Sequence, residues 1–349
     1  DSVVNQTLKD IEIICVNDAS SDNSSEILKE YASGDERIKI INNEHNIGVG
    51  LSRNRALEAA NGEYIMFLDP DDWYELDACE TAYNQIAAHN NDFVIFDLYN
   101  YNDDSKERKV SKKSKVFNQI INIPNATLYN IDNVFSASAE VWYKIYRKKF
   151  LTDYDIKFDQ LAYEGQTWNL KIFCYAKDFS YLNKQLYNYR IRKDSITSSP
   201  KYWKDLLDRK EYAYELFKKM EFANKSNVQK YYLAYLIRTT MYIFKKYIKI
   251  NPDITKDFYS DIRKFYIKLN DENNIKDYAK MIDYGRFTLF IKCKSYSQYR
   301  FLYLLLYRLF AFEYKEKHYV FKIFGIKISL KTAACRGKNF YDKQIQNFN

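Results

Sequence analysis

The sequence predicts an α/β fold, with a mostly parallel sheet and flanking helices, followed by a mainly α-helical C-terminal region. Three observations lead there. Short apolar runs alternate with helical patterns through the first half of the chain, which is the spacing of βαβ units. Beyond Pro200 the alternation stops, and helical periodicity with interleaved Tyr and Lys takes over. The 349 residues, 46% of them hydrophobic, suffice for a real core in one large domain or two. The expected division is residues 1–199 and 200–349.

In chain order, Asp1 to Thr7 reads as the tail of an amphipathic helix, and Ile11 to Val16 as a buried strand. Asn17-Asp18-Ala19-Ser20-Ser21-Asp22 is a turn rich in helix-capping side chains. A helix from about Ser24 to Ala32, a strand over Ile38 to Ile41 and a helix from about Leu51 to Ala60 follow. The next strand, Tyr64 to Leu68, is bulky and uncharged throughout, as expected where both faces are buried. Leu76 to His89 reads as a helix, Phe93 to Phe96 as a strand, Asn100 to Ser114 as a polar surface loop, and Tyr181 to Arg192 as a strand. Helices are expected over Tyr202 to Phe222 and Val228 to Ile250. The aromatic and leucine run from Tyr299 to Phe312 is either a packed helix or one lying in a membrane interface, with Lys315 and Lys317 near anionic headgroups. Val320 to Leu330 resembles a short hairpin around Gly325.

The third strand ends in Asp69-Pro70-Asp71-Asp72, and Asp18 follows the first strand. Ligands of open α/β sheets bind beyond such carboxyl ends. Three crowded carboxylates repel one another unless solvated or gathered around a cation such as Mg²⁺ or Mn²⁺, so a solvated turn and a metal site both remain open. Residues 1–200 carry 23 Lys+Arg against 31 Asp+Glu, and residues 201–349 carry 31 against 15. The first half suits a metal-dependent site and the second an anionic partner. Five scattered cysteines without a CxxC pair argue against a zinc site or a disulfide framework and favour a reducing, cytoplasmic setting. No apolar run reaches the roughly 20 residues of a membrane span.

Val16-Asn17-Asp18-Ala19-Ser20-Ser21-Asp22, Asn46-Ile47-Gly48 with Ser52-Arg53-Asn54, and Asn61 to Trp73 resemble, in order and spacing, the family 2 glycosyltransferases of GT-A (Rossmann-like) fold. The resemblance implies that Asp18 holds the base of a nucleotide-sugar and that Arg53 lies in the donor site. It further implies that Asp69 and Asp71 form a DxD pair at the ribose and metal, with Asp72 a further candidate ligand. Members usually begin with one more strand, so the natural protein is expected to extend some 25 residues upstream.

The same resemblance places Ala139 to Leu151 beside the acceptor, where Trp142 either stacks on a sugar or simply packs and Lys144 helps neutralise phosphate. An amphipathic edge strand is the alternative for this segment. In Tyr163 to Phe173 the family usually has Glu-Asp, the Asp being the base that deprotonates the acceptor. Here Gly165 stands at that place, leaving Glu164 as a substitute base or merely a helix-start residue. Arg190 and Arg192, on one face by alternation, are expected at the donor diphosphate or as solvated arginines of an edge strand.

The function implied is inverting transfer from a nucleotide-sugar donor, most simply a UDP-sugar, to a surface-glycan or glycolipid acceptor, with peripheral contact to anionic membrane. The rivals are a GT-A module that binds donor without turnover, and a nucleic-acid binder. The second lacks an RNA-binding signature or a compact basic stripe, so nucleic acid is not an expected partner.

Overall fold

The computed structural model describes residues 1–111, 140–160, 164–192, 200–220, 226–250, 255–275, 290–300, 311–315, 318–323 and 326–331. Its first strands and helices follow the alternation: β1 (Ile13–Asn17), α1 (Ser24–Gly34), β2 (Ile38–Asn42), α2 (Val49–Ala59), β3 (Tyr64–Met66), β4 (Trp73–Tyr74), α3 (Ala78–His89) and β5 (Phe93–Asn102). After β6 (Arg108–Val110) come β7 (Lys144–Arg147), α4 (Lys148–Asp153), α5 (Gly165–Tyr175) and β8 (Phe179–Ile191). Helices α6 (Pro200–Lys219), α7 (Ser226–Ile250) and α8 (Thr255–Glu272) precede strands β9 (Ala311–Lys315), β10 (His318–Ile323) and β11 (Ile326–Lys331).

The α/β class is as expected, and the strand pairing is mixed. β1 and β2 form a parallel pair. The larger sheet has the order β3-β7-β5-β8-β4, with β6 paired to β5. Its β5–β8 pair is parallel, while β7 runs antiparallel to both β3 and β5. β3 and β5 therefore point the same way, as a crossover through α3 requires, and β7 is wedged between them. Ala139 to Leu151 thus contributes an internal strand and not an edge strand. β4 lies at the opposite end of the strand order from β3, so the acidic turn that joins them carries the chain from one edge of the sheet to the other.

Two local expectations change. Residues 100–102 continue β5 and pair with β8, Asn100 and Tyr101 pairing also with β6, because a ladder partner distant in sequence, β8, satisfies a backbone that looks loop-like locally. Asp1 to Thr7 forms turns, pinned by the buried Gln6, which donates to the Glu75 carbonyl (2.8 Å) and accepts from Cys79 N–H (2.9 Å).

Packing centres on β5, whose residues Phe93 to Phe96 are fully buried, as a run apolar on both faces must be. Trp168 of α5 is also fully buried. It stacks on Phe158 at 4.0 Å and meets Phe67 and Tyr146 edge-on, each at 5.6 Å, a favourable geometry for aromatic quadrupoles. Phe67 follows β3 directly, so this cluster fixes where the acidic turn begins.

Compact units divide at Lys246/Tyr247, within α7, so α6 and most of α7 belong to the first unit. In the second, Tyr259 of α8 donates to the carbonyls of Phe290 (2.9 Å) and Cys293 (3.1 Å). There β10 pairs antiparallel with β11, the pairing expected of a hairpin over Val320 to Leu330, and also with β9; Gly325 lies outside the described residues. Ala311 and Phe312, expected to be helical, belong to β9, with position 312 in register with 321 of β10. Residues 112–139, 301–310 and 332–349, including Cys335, lie outside the described residues, as do residues 161–163 and 193–199, which take in Tyr163 and the end of the Arg190 segment. Among the described residues no helix is long and apolar enough to cross a membrane.

Trp168→Ala is expected to lower unfolding free energy by about 3–5 kcal/mol in urea titration, whereas Ile27→Ala, at a side chain 45% exposed, should stay within about 0.5 kcal/mol. A second prediction concerns the turn before β3. Glu12 accepts from Asn61 N–H, from Gly62 N–H (2.6 Å) and from Lys39 (2.7 Å). Burial opposes its charge, yet these bonds bring its pKa down to about 2. A depressed carboxylate stabilises the fold above its unfolded pKa of about 4.5, and that contribution is lost as pH falls from there towards 2. Glu12→Gln should flatten the stability–pH curve in that window.

Candidate active site

Asp18, just past β1, organises the loop that opens α2. Its carboxylate accepts from Ile47 N–H (2.9 Å), Gly48 N–H (2.8 Å) and the Asn43 amide (2.8 Å). Burial opposes the charge, but these donors, led by Ile47, hold its pKa below the usual range. Gly48 has φ of 88°, a left-handed conformation for which glycine is suited. The loop thereby begins a helix with its backbone N–H groups gathered on a carboxylate.

One turn into α2, Arg53 carries the central interaction. Its guanidinium bonds Asp69 Oδ1 at 2.5 Å and also Glu164 Oε1. Side-chain exposures are 13% for Arg53, 28% for Asp69 and 9% for Glu164, so the bridge lies largely out of solvent. Burial works against the Arg53 charge, and the two carboxylates outweigh it, raising its pKa. Phe158 lies 5.5 Å from the guanidinium, within cation–π range.

Two neighbours of Arg53 on α2 make this approach possible. At Gly50 a Cβ would come within 2.8 Å of the Asp159 carbonyl and 3.1 Å of Glu164 Cγ, so any side chain would push α2 off the segment that leads into α5. Asn54 clamps the same segment, donating to the Phe158 carbonyl (2.8 Å) and accepting from Phe158 N–H (2.9 Å). Neither residue stood out as a site residue in the sequence, although a glycine at a helix start, in a chain with only 8 glycines, was a usable signal.

The rest of the acidic turn is tied to β8. Arg190 Nε donates to the Asp71 carbonyl (2.8 Å) and Arg192 Nη2 to Asp71 Oδ2 (2.5 Å), so the two arginines meet at one residue. Arg190 lies near the end of β8, paired with Tyr101 of β5 and past the two residues that pair with β4, and Arg192 directly follows the strand. Asp72 meets the backbone of Arg190 and the hydroxyl of Tyr187. Its oxygens accept from Tyr187 O–H (2.6 Å) and Arg190 N–H (2.8 Å). Burial pushes its pKa up to about 6, against the pull of those bonds.

Trp142 is buried and stacks on Tyr187 (4.2 Å) and Tyr189 (5.4 Å), so its ring faces protein. Lys144 is fully buried, with Nζ on the Glu140 carbonyl and 4.4 Å from the Tyr143 ring. Gly165 opens α5, its carbonyl accepting from the Asn169 amide (2.6 Å). The structure therefore brings Arg53, Asp69 and Glu164 together, gathers Arg190 and Arg192 on Asp71, and engages Trp142 and Lys144 internally.

Among the described residues no group of three or more His, Cys, Asp or Glu side chains is placed to hold a metal ion. Asp72, turned to Tyr187 and Arg190, explains why the triplet does not make a cage. Asp69 and Asp71 stay partly exposed, each meeting an arginine through one oxygen. An octahedral cation that takes most of its ligands from a diphosphate and water needs only one or two carboxylates, and this pair fits that requirement.

Residues 1–154 match the model of glycosyl transferase family 2. They are a family 2 glycosyltransferase domain. The chain is 34% identical over 209 residues to glycosyltransferase GlyA of Streptococcus pneumoniae, covering 56% of this chain and 29% of GlyA. It is 35% identical over 214 residues to EpsH of Bacillus subtilis, covering 60% of each. The chain thus spans less than two thirds of the length of either relative. Poly(ribitol-phosphate) beta-N-acetylglucosaminyltransferase TarS of Staphylococcus aureus is 27% identical over 196 residues, covering 55% of this chain and 32% of TarS. The crystal structure of TarS 1-349 in complex with UDP-GlcNAc superposes with a TM-score of 0.65 at 19% identity, covering 95% of this chain and 94% of that one. The likeness shows that the domain has the GT-A fold.

Arg53→Met should lower the unfolding free energy of this family 2 domain by about 3–5 kcal/mol, because it leaves buried carboxylate without its cation. Arg192→Met, at a pair whose side chains are 50% and 38% exposed, should cost under about 1 kcal/mol. Urea denaturation of both variants checks the contrast.

Proposed function

We propose that the protein is an inverting, metal-dependent glycosyltransferase that moves a sugar from a nucleotide-diphosphate donor, a UDP-sugar, to a surface-glycan acceptor such as lipooligosaccharide or capsule. The observation that carries the reading is the Arg53 bridge, which joins the acidic end of β3, inside the stretch matched by the family 2 model, to Glu164 at the start of α5, beyond that stretch. The UDP-GlcNAc complex of TarS supports a UDP-linked donor, and the polymer in the TarS name supports a glycan-like acceptor. The basic second half of the chain supports work at an anionic membrane surface, on its cytoplasmic side.

In this reading Asp18 and the loop it holds receive the nucleoside, and Arg190 and Arg192 face the diphosphate. Asp71, with Asp69, would hold Mg²⁺ or Mn²⁺, which supplies positive charge to the leaving diphosphate. Arg192 then exchanges its bond to Asp71 for phosphate oxygen. Glu164 accepts the proton of the acceptor hydroxyl as that oxygen attacks the anomeric carbon from the face opposite the diphosphate. Arg53 holds Glu164 and Asp69 at a fixed separation while this happens, as effective positioning requires.

A second reading is favoured by Gly165, which offers no side chain at the place where the family resemblance expects a base, and by the engagement of Glu164 with Arg53. In it the protein binds donor without turnover. Titration with UDP and Mn²⁺, followed by assay of UDP-sugar hydrolysis, separates the two. The transferase reading expects turnover that Glu164→Gln lowers by about 10² to 10⁴ while UDP still binds, and that Gly165→Asp changes little. Binding with no turnover until Asp is supplied at position 165 would establish the second reading.

A further inference from the structure

We propose that Arg209, on a helix beyond the region of strand–helix alternation, is a positioning residue for Glu164, so that α6 is a working part of the transfer site. The proposal rests on the transferase reading above. Arg209 is almost wholly buried, its side chain 2% exposed. Its Nη2 bonds Asp159 Oδ1 and lies 2.7 Å from Thr167 Oγ1. The fully buried Thr167 hydroxyl in turn donates to Asp159 Oδ2 at 2.7 Å, with the Glu164 carbonyl at 3.1 Å. Trp168 N–H closes the first turn of α5 on that carbonyl at 3.1 Å.

One guanidinium thus ties together the two ends of the stretch from 159 to 167. Helix α2 also meets Phe158, Asp159 and Glu164: Gly50 admits the Asp159 carbonyl and the Glu164 side chain, and Asn54 clamps Phe158. Glu164 is therefore held from two directions: Arg53 fixes its carboxylate, and Arg209 fixes the backbone turn from which it projects. A buried arginine between a carboxylate and a hydroxyl is costly in the absence of its partners. A charge is not needed merely to fill space between helices, and here it is spent on the turn that carries Glu164. Tyr212, with its ring 4.9 Å from the Arg209 guanidinium, steadies it from its own helix.

The test is a double-mutant cycle on the full chain with Arg209→Ala and Glu164→Gln, read in steady-state UDP-sugar hydrolysis. Thr167→Val, nearly isosteric, is the second variant should Arg209→Ala fail to fold. Each of the Arg209 and Thr167 changes should lower kcat by about 10- to 100-fold with donor KM altered less than about threefold, the split expected when transition-state positioning alone is lost. Added to Glu164→Gln, either should cost no more than about a further twofold, because both act through one group. Arg209→Lys should recover part of kcat. Losses that multiply independently, or that appear only in KM, would overturn the proposal. If the wild-type chain binds UDP yet turns over no donor, the transferase reading fails separately. Amide exchange then decides the positioning: Thr167→Val must speed exchange at Trp168 N–H relative to β5, and unchanged exchange there would overturn it.

Discussion

A buried arginine shared by two carboxylates is the constraint on which the rest of the site depends. Arg53 comes from α2, Asp69 from the end of β3, and Glu164 from the start of α5. Withdrawing such a charge from water is expensive unless its partners are fixed in place. Much of the surrounding architecture does that fixing. Gly50 lets α2 approach, Asn54 grips the backbone of Phe158, and the Trp168 cluster sets where β3 ends.

The sheet topology converts this local bridge into a site. Because β3 and β4 lie at opposite ends of the strand order, the acidic turn must run across the strand ends and passes beside β8. There Arg190, Arg192 and Tyr187 each find one of its carboxyl or carbonyl groups. Three aspartates within four residues thus acquire three different environments: one shared with Arg53, one open beside two arginines, one buried against a tyrosine. Repulsion within the turn is relieved by dividing the carboxylates among separate donors as well as by solvent.

Apart from the two-residue β4, the alternation of elements up to β5 was legible, since the other strands and helices there have periods that their own residues declare. The places of Asp18 and Asp69 just after the first and third strands were legible as well. The partners were not. Glu164 lies 111 residues from Arg53, and no local pattern reveals that pairing or the antiparallel insertion of β7. Residues 100–102 read as loop because their polarity is local, while their ladder partners lie some 90 residues away. Trp142 remained open between stacking on a sugar and packing, a choice that turns on Tyr187 and Tyr189, which only folding brings beside it. Arg209 was hidden most completely, in a helix whose composition sets it apart from Asp159 and Thr167, the residues it bonds.

The central claim is that Arg53 and Glu164 act as one unit. A double-mutant cycle on Arg53→Met and Glu164→Gln, read in unfolding free energy, tests it most directly. The account predicts a coupling energy of about 1–3 kcal/mol, the double variant being less destabilised than the two single losses together imply. Additivity within about 0.3–0.5 kcal/mol would contradict it.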